Sequence, residues 1–264
     1  MKTTVITHFY NESYLLPFWL KHHMNLFDHG ILIDHHSTDN SVEICKEIAP
    51  HWKVITSRLN MFDAPLCDSE VMVQEWGIDG WKMALTIAEF LCPRANNLIE
   101  IQKYIKEQGA VGGFIQDKVM LDIEPGKEVV KDLLVEKPWG IYRNEKPSAF
   151  FKWRNPDLMP IFKVRCARLL HYGYSGCYSP GRHKSYLTPN CQIPLELGEI
   201  YKYGYSPWVS RFIERKLSFG KKIPENNIAA GFGVHHTKSL KIIQSEVDRL
   251  VAHFKSKLLQ SVSK

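Results

Sequence analysis

Two stretches decide the fold: Thr4-Val5-Ile6-Thr7-His8-Phe9-Tyr10-Asn11-Glu12 and, further along, Ile31-Leu32-Ile33-Asp34-His35-His36-Ser37-Thr38-Asp39-Asn40-Ser41. Each is a short apolar run rich in β-branched residues that passes into side chains suited to starting a helix. Thr4 to His8 reads as a first strand, after which Asn11 and Ser13 offer caps and Pro17 fits a first helical turn. The spacing predicts a helix over Phe18 to Phe27, with Gly30 as its stop. Ile31 to Ile33 reads as a buried strand finishing at Asp34. Ser37-Thr38-Asp39 then caps a helix over Val42 to Ala49, which Pro50 stops before a third strand at Trp52 to Thr56. Strands alternating with helices in this way call for a parallel sheet.

The same reading continues with a helix over Ser69 to Trp76, a strand over Trp81 to Ile87, and a helix over Asn97 to Gln108 stopped by Gly109. Ala110 to Leu121 and Ile161 to Leu170 read as strands, and two helices close the chain, over Pro207 to Phe219 and Ser239 to Leu259. Tyr172 to Pro194, rich in Gly, Pro, Ser and Tyr, reads as a long functional loop. With no internal repeat or low-complexity linker, a single domain over residues 1–264 is expected.

Composition narrows the function classes. The 264 residues are 44% hydrophobic and 23% charged, the balance of an ordinary globular protein. No apolar run approaches the ~20 residues a bilayer-spanning helix needs. The N-terminus lacks a signal-peptide core, so a cytoplasmic protein is expected. The net charge of +6 fits anionic ligands such as nucleotides, or peripheral contact with anionic lipid. A solvated helical face explains any single charge as well. The basic residues are not interleaved with aromatics in a nucleic-acid-binding module, and no nucleic-acid partner is expected. Six cysteines show no C-x-x-C pairing, and the twelve histidines, doubled at His22-His23, His35-His36 and His235-His236, form no H-E-x-x-H pattern.

Open α/β sheets bind ligands at the carboxyl ends of their strands, where a terminal carboxylate can hold a ribose or base and the next helix start can hold phosphate. Thr7, Asn11, Glu12, Asp34, His36 and Asp39 all fall at such ends. Capping and strand termination account for each of these side chains too.

Together the two stretches resemble the opening of family-2-like glycosyltransferases, in the branch that begins N-E-x-Y-L-L-P-x-W-L, matched here from Asn11 to Leu20 and on to His23. The resemblance implies a GT-A (Rossmann-like) α/β fold, a mixed, mainly parallel sheet flanked by helices with a helical C-terminal region. It implies a nucleotide-binding half over 1–95, an acceptor-side half over 96–237 and a C-terminal helix over 238–264. The implied activity is transfer of a sugar from a nucleotide diphosphate-sugar donor to a glycan or other hydroxyl acceptor, with inversion. Thr7, Asn11, Glu12, Asp34, His36, Asp39 and Arg182 become candidate donor-binding residues.

One motif departs from the family. Trp81-Lys82-Met83-Ala84-Leu85-Thr86-Ile87-Ala88-Glu89-Phe90-Leu91 resembles the family's W-x-x-x-L-D-x-D-E-F-L, but Thr86 and Ala88 stand where the relatives carry the two Asp residues of D-x-D, and Glu89 alone survives. Those carboxylates normally hold Mn2+ or Mg2+ against the departing diphosphate. Three readings follow. Glu89, with a histidine such as His183, holds a cation and acts at the catalytic centre; basic side chains such as Arg182, His183 or lysines replace the ion; or the chain binds donor or glycan without turnover. Glu89 and His183 are accordingly the candidate catalytic and metal residues. The resemblance puts the catalytic base after the altered motif, where Asp117, Asp122 and Asp157 stand. Gly231 to His236 resembles a terminal loop that closes over the site. Trp139, Tyr142, Phe150, Phe151 and Trp153 could stack on a sugar ring or fill the core. An unrelated α/β hydrolase, using its histidines with a metal, would instead need His183 and His235 to converge on a carboxylate.

Overall fold

The computed structural model describes residues 1–129, 131–142 and 167–262. Strands β1 (Thr3–Phe9), β2 (His29–Asp34), β3 (Lys53–Thr56) and β4 (Trp81–Ala84) alternate with helices α1 (Leu16–His23), α2 (Ser41–Ile48) and α3 (Ala64–Trp76). They pair in parallel in the order β3-β2-β1-β4. The chain therefore walks outward from β1 to β3 and returns on the other side of β1, which sets a reversal of strand order at the carboxyl end of β1.

The second half extends the sheet. It comprises β5 (Glu89–Pro93), α4 (Ile99–Glu107), β6 (Gly112–Leu121), α5 (Leu133–Glu136), β7 (Gly140–Tyr142), β8 (Ala167–His171), β9 (Asn190–Gln192) and β10 (Gly198–Tyr205). Beyond β4 the order is β8-β6-β10-β5, with β7 and β9 attached to β6. Here β8 runs antiparallel to β4 and β6, and β5 antiparallel to β10, so the sheet is mixed, as the α/β expectation required. The helices α6 (Ser210–Gly220), α7 (Glu225–Ala229) and α8 (Leu240–Val262), with a 3₁₀ turn at Val234–His236, form the helical end. The principal core packs α1, through Trp19 and Leu20, against Trp81, Phe90 and Tyr203. No described helix is long and apolar enough to cross a membrane.

Several boundaries differ from the sequence reading, each for a local reason. The first helix stops at His23, although the carbonyl of His23 still accepts Phe27 N–H (2.9 Å), which carries the apolar spacing past the helix end. Helix α3 begins five residues early because Asp63 caps it, accepting Leu66 N–H (3.1 Å), ahead of Pro65. Strand β4 ends at Ala84 rather than Ile87, since Glu89 N–H closes a turn on the Thr86 carbonyl (2.9 Å) before a separate β5 starts. The long loop from Tyr172 includes β9, and β10 was masked in the sequence by its charges Glu199 and Lys202, whose partners lie far away in the chain. The residues from 161 to 166, placed in a strand by sequence, lie outside the described residues.

Gly30 does not stop a helix but lies inside β2, where a Cβ would stand 2.1 Å from the Trp52 ring. Replacing it with alanine must displace a nearly buried indole, and overpacking of this kind costs about 1–3 kcal/mol. Urea denaturation of Gly30→Ala is expected to show a loss in that range, with an unchanged m-value.

Candidate functional site

The loops after β1 and β2 are tied to one another at the reversal point. Asn11, at φ 50°, accepts Thr38 N–H on its amide oxygen (2.8 Å) and donates its amide to Thr38 Oγ1 (3.1 Å). Its backbone N–H goes to Ser37 Oγ (3.0 Å), and that of Glu12 to Ser41 Oγ (2.8 Å). Asp39 accepts both Ser13 N–H and Ser41 N–H. Burial raises the Asp39 pKa, but the hydrogen bonds from Ser41 and Ser13 outweigh it and hold the carboxyl below the usual range. Asp34 ends β2 nearly buried and accepts Ser37 N–H (3.0 Å). His36 is exposed with φ 60°, and Thr7 is buried with its hydroxyl on the His8 carbonyl (3.2 Å). Six of the candidate donor residues thus lie together, Thr7 and Asp34 near the carboxyl ends of β1 and β2 and Asn11, Glu12, His36 and Asp39 on the two interlocked loops that follow.

Glu89 opens β5 and is fully buried. Arg168, on β8, grips it with two parallel hydrogen bonds, Nε to Oε2 and Nη2 to Oε1, both 2.8 Å. Lys202, directly across on β10, donates to Oε1 (2.9 Å), and Thr86 N–H donates to Oε2 (3.0 Å). Four donors use the carboxylate's full accepting capacity. Burial pushes this carboxyl up, yet Arg168 and Lys202 prevail and hold it well below the ordinary value. In the altered motif Ala88 offers no donor atom to a cation. A divalent ion at Glu89 would therefore have to displace Arg168 or Lys202.

Glu12 is the second buried carboxylate, clasped by both Nε and Nη2 of Arg215 from α6. Burial raises its pKa against the pull of that guanidinium. Next to it, Lys216 donates to the Gly204 carbonyl (2.9 Å) and stands over the Tyr205 ring. Its pKa is pulled down to about 7, first by burial and then by Arg215 and Lys202, with Lys238 adding to the effect and Glu246 opposing it. His236 is held well below its usual value by burial and by His235, Lys216, Arg215 and Lys202. Lys202, Arg215, Lys216 and His236 therefore gather close enough to repel one another's charge. Of these, Arg215 is paired with Glu12 and Lys202 with Glu89, while Lys216 has only a carbonyl as its hydrogen-bond acceptor.

The other predicted residues fall nearby or elsewhere. His183 lies against Arg168, Nδ1 to Nη1 2.9 Å, and Arg182, at φ 57°, pairs with Asp68 of α3. His35 is buried, stacked on Phe62, which stacks in turn on Phe219, and Phe219 meets His236. That column joins the β2 end to the loop at Gly231 to His236. His22 and His23 pack under the sheet, His23 donating from Nδ1 to the Trp19 carbonyl (2.9 Å) and accepting Leu91 N–H at Nε2 (3.2 Å). Asp122 is held by Lys137 (2.8 Å) and by Trp208 N–H (2.7 Å), and Asp117 is buried in β6. Trp139 packs on Phe254, and Tyr142 donates to Glu199 (2.9 Å). Phe150, Phe151, Trp153 and Asp157 lie outside the described residues.

No protein-family model matches the chain, and no curated protein matches it. Solved structures do. S. aureus TarS 1-349 superposes with a TM-score of 0.47 at 16% identity, over 84% of this chain and 65% of that one. The same fragment in complex with UDP-GlcNAc gives 0.44, at 16% identity over 84% and 66%. Glucosyl-3-phosphoglycerate synthase from Mycobacterium tuberculosis, in complex with Mn2+, UDP and glucosyl-3-phosphoglycerate, gives 0.40, at 10% identity over 86% and 82%. The chain thus spans 65% of the length of the first structure it matches, and the likeness is one of overall course.

The sequence reading missed Arg168 and Lys202. A signal existed: an arginine inside the apolar strand Ala167-Arg168-Leu169-Leu170 demands a buried partner. Removing that carboxylate breaks the ion pair of the buried Arg168 and the half-buried Lys202, a loss of about 3–5 kcal/mol. Glu89→Gln is accordingly expected to lose that much stability by chemical denaturation, whether or not any ligand is added.

Proposed function

We propose that the protein is a glycosyltransferase that binds a nucleotide diphosphate-sugar across the carboxyl ends of β1 and β2. In this reading Asn11, Asp34, His36 and Asp39 present the nucleoside side of the cleft, with Thr7 and Glu12 beneath. Lys202, Arg215 and Lys216 face the diphosphate, with the neutral His236 beside them. The observation that carries the reading is this cationic cluster beside a Glu89 whose oxygens are already occupied. Side-chain cations take the place of a D-x-D-bound ion there, and Arg168, Arg182 and His183 buttress that wall.

Breaking the bond between the anomeric carbon and the diphosphate oxygen leaves negative charge on the leaving group. Fixed cations stabilise it without reorganisation. The acceptor hydroxyl attacks the anomeric carbon from the opposite face, with inversion, and gives its proton to a carboxylate base. Donor binding without transfer is the second reading. It is favoured by Asp122, one of the candidate bases, whose oxygens are taken by Lys137 and the Trp208 amide.

Thermal-shift measurements with UDP, GDP, CDP and their sugars, each with Mn2+ and with EDTA, test the proposal. A ligand at about 100 times its Kd adds roughly 2.7 kcal/mol. A shift that persists in EDTA is the expected result; a shift only with Mn2+ overturns the side-chain-cation reading, and no shift overturns donor binding altogether.

Lys216 supplies a pH test. Its folded value of about 7 lies below the unfolded 10.5, so the folded protein loses this proton first. Unliganded stability from this group rises with pH between about 7 and 10.5. An anion binds the protonated form, so nucleotide affinity runs the other way. It is expected to fall about tenfold between pH 7 and 8.5 by calorimetric titration. Lys216→Met should lower affinity at pH 7 and flatten that dependence.

A further inference from the structure

Three side chains beneath the β1 and β2 ends belong to neither the Glu89 network nor the cationic cluster. His8 is on β1, His35 follows β2, and Cys67 lies in the first turns of α3. One donor atom from each lies within 4.8 Å of the others, and among the described residues no other His, Cys, Asp or Glu triplet converges in this way. Neither His183 nor His235, the histidines the hydrolase reading relies on, is part of it. All three side chains are nearly or wholly sealed from solvent.

The hydrogen bonds define what these groups offer. His8 donates Nε2–H to Glu70 Oε2 (2.8 Å), because a carboxylate can only accept; its Nδ1 is then a lone pair, buried and without a partner. His35 turns Nε2 toward Cys67 Sγ, which leaves its Nδ1 buried and without a hydrogen-bond partner. Glu70 is itself fixed by Ser57 Oγ (2.7 Å) and Arg58 N–H (2.9 Å). A carboxylate that holds one imidazole nitrogen so that the other can ligate is the usual outer support of a metal-bound histidine. The spacing between Cys67 and His35 agrees. Cys67 Sγ lies 3.6 Å from His35 Nε2. Tetrahedral zinc, with Zn–S about 2.3 Å and Zn–N about 2.0–2.1 Å, separates such a pair by about 3.5 Å.

We propose that His8, His35 and Cys67 form a binding site for one zinc ion, distinct from any cation that would accompany a sugar donor. Two imidazoles and one thiolate are a borderline-soft set that suits Zn2+ and excludes Mg2+ and Mn2+, which prefer oxygen. Binding displaces the Cys67 thiol proton to solvent as the Zn–S bond forms. The ion would join β1, β2 and α3 at the base of the cleft, with a fourth position left for water or a ligand atom.

The full chain, stripped with EDTA and re-equilibrated with one equivalent of Zn2+, should retain one ion per chain by elemental analysis after gel filtration. Co2+ should give visible d–d bands of a tetrahedral centre with a near-ultraviolet thiolate charge-transfer band. Cys67→Ser should abolish that band, Cys177→Ser should leave it intact, and Glu70→Gln should weaken affinity about 10–100-fold. Sub-stoichiometric zinc and no charge-transfer band in the unaltered protein would overturn the site, irrespective of how the variants fold. A band that survives Cys67→Ser would do so equally. None of these readouts involves a nucleotide, so the site stands or falls apart from the transferase reading.

Discussion

The pairing of Glu89 with Arg168 and Lys202 is the constraint on which the second half of the molecule depends. It links β5, β8 and β10, three strands from distant parts of the chain, through a carboxylate buried to 1% exposure. A charge so placed is tolerated only when fully paired, so the three strands can close only in the register that brings the guanidinium and the ammonium to it. Just before the 86–89 turn, Leu85 N–H donates to the Ile6 carbonyl of β1 (3.0 Å), which ties the turn to the first half of the sheet. Shape at the cleft and charge in the core are therefore set by one network.

The first half was legible because its signals are local. Thr4-Val5-Ile6 and Ile31-Leu32-Ile33 are apolar strand cores, and Ser37-Thr38-Asp39 sits at a helix entry, so each could be read within a few residues of sequence. The parallel order β3-β2-β1-β4 and the gathering of Asn11, Asp34 and Asp39 at one edge follow from that alternation. The second half was less legible because its polar side chains are explained only by distant partners. Glu199 looks like a surface residue until Arg94 and Tyr142 are seen against it, and Lys202 until Glu89 is. The family resemblance marked Glu89 as the remnant of a metal motif; what it could not show was that Arg168 on β8 and Lys202 on β10 pair with it.

Histidine was the residue type hardest to read. Of the three doublets, His22-His23 serves packing and backbone satisfaction, while His236 is held neutral beside Lys216 and Arg215 and His35 turns inward toward Cys67. Nothing in a doublet distinguishes these roles, since an imidazole can donate, accept, stack or ligate according to what the fold places beside it. The column His35–Phe62–Phe219–His236 shows the point: ring stacking carries one histidine's environment across to another on the opposite wall.

The clasp between Glu12 and Arg215 spans 203 residues of chain. A ribosome adds about 5–20 residues per second, so the carboxylate emerges some tens of seconds or about ten seconds before its guanidinium exists. During that interval the β1–α1 turn carries a charge destined for burial and must keep it hydrated. The first strands can pair as they are made, but the cleft wall at Glu12 is finished only when α6 arrives. Synthesis thus completes the β1 and β2 ends first and the α6 half of the clasp last.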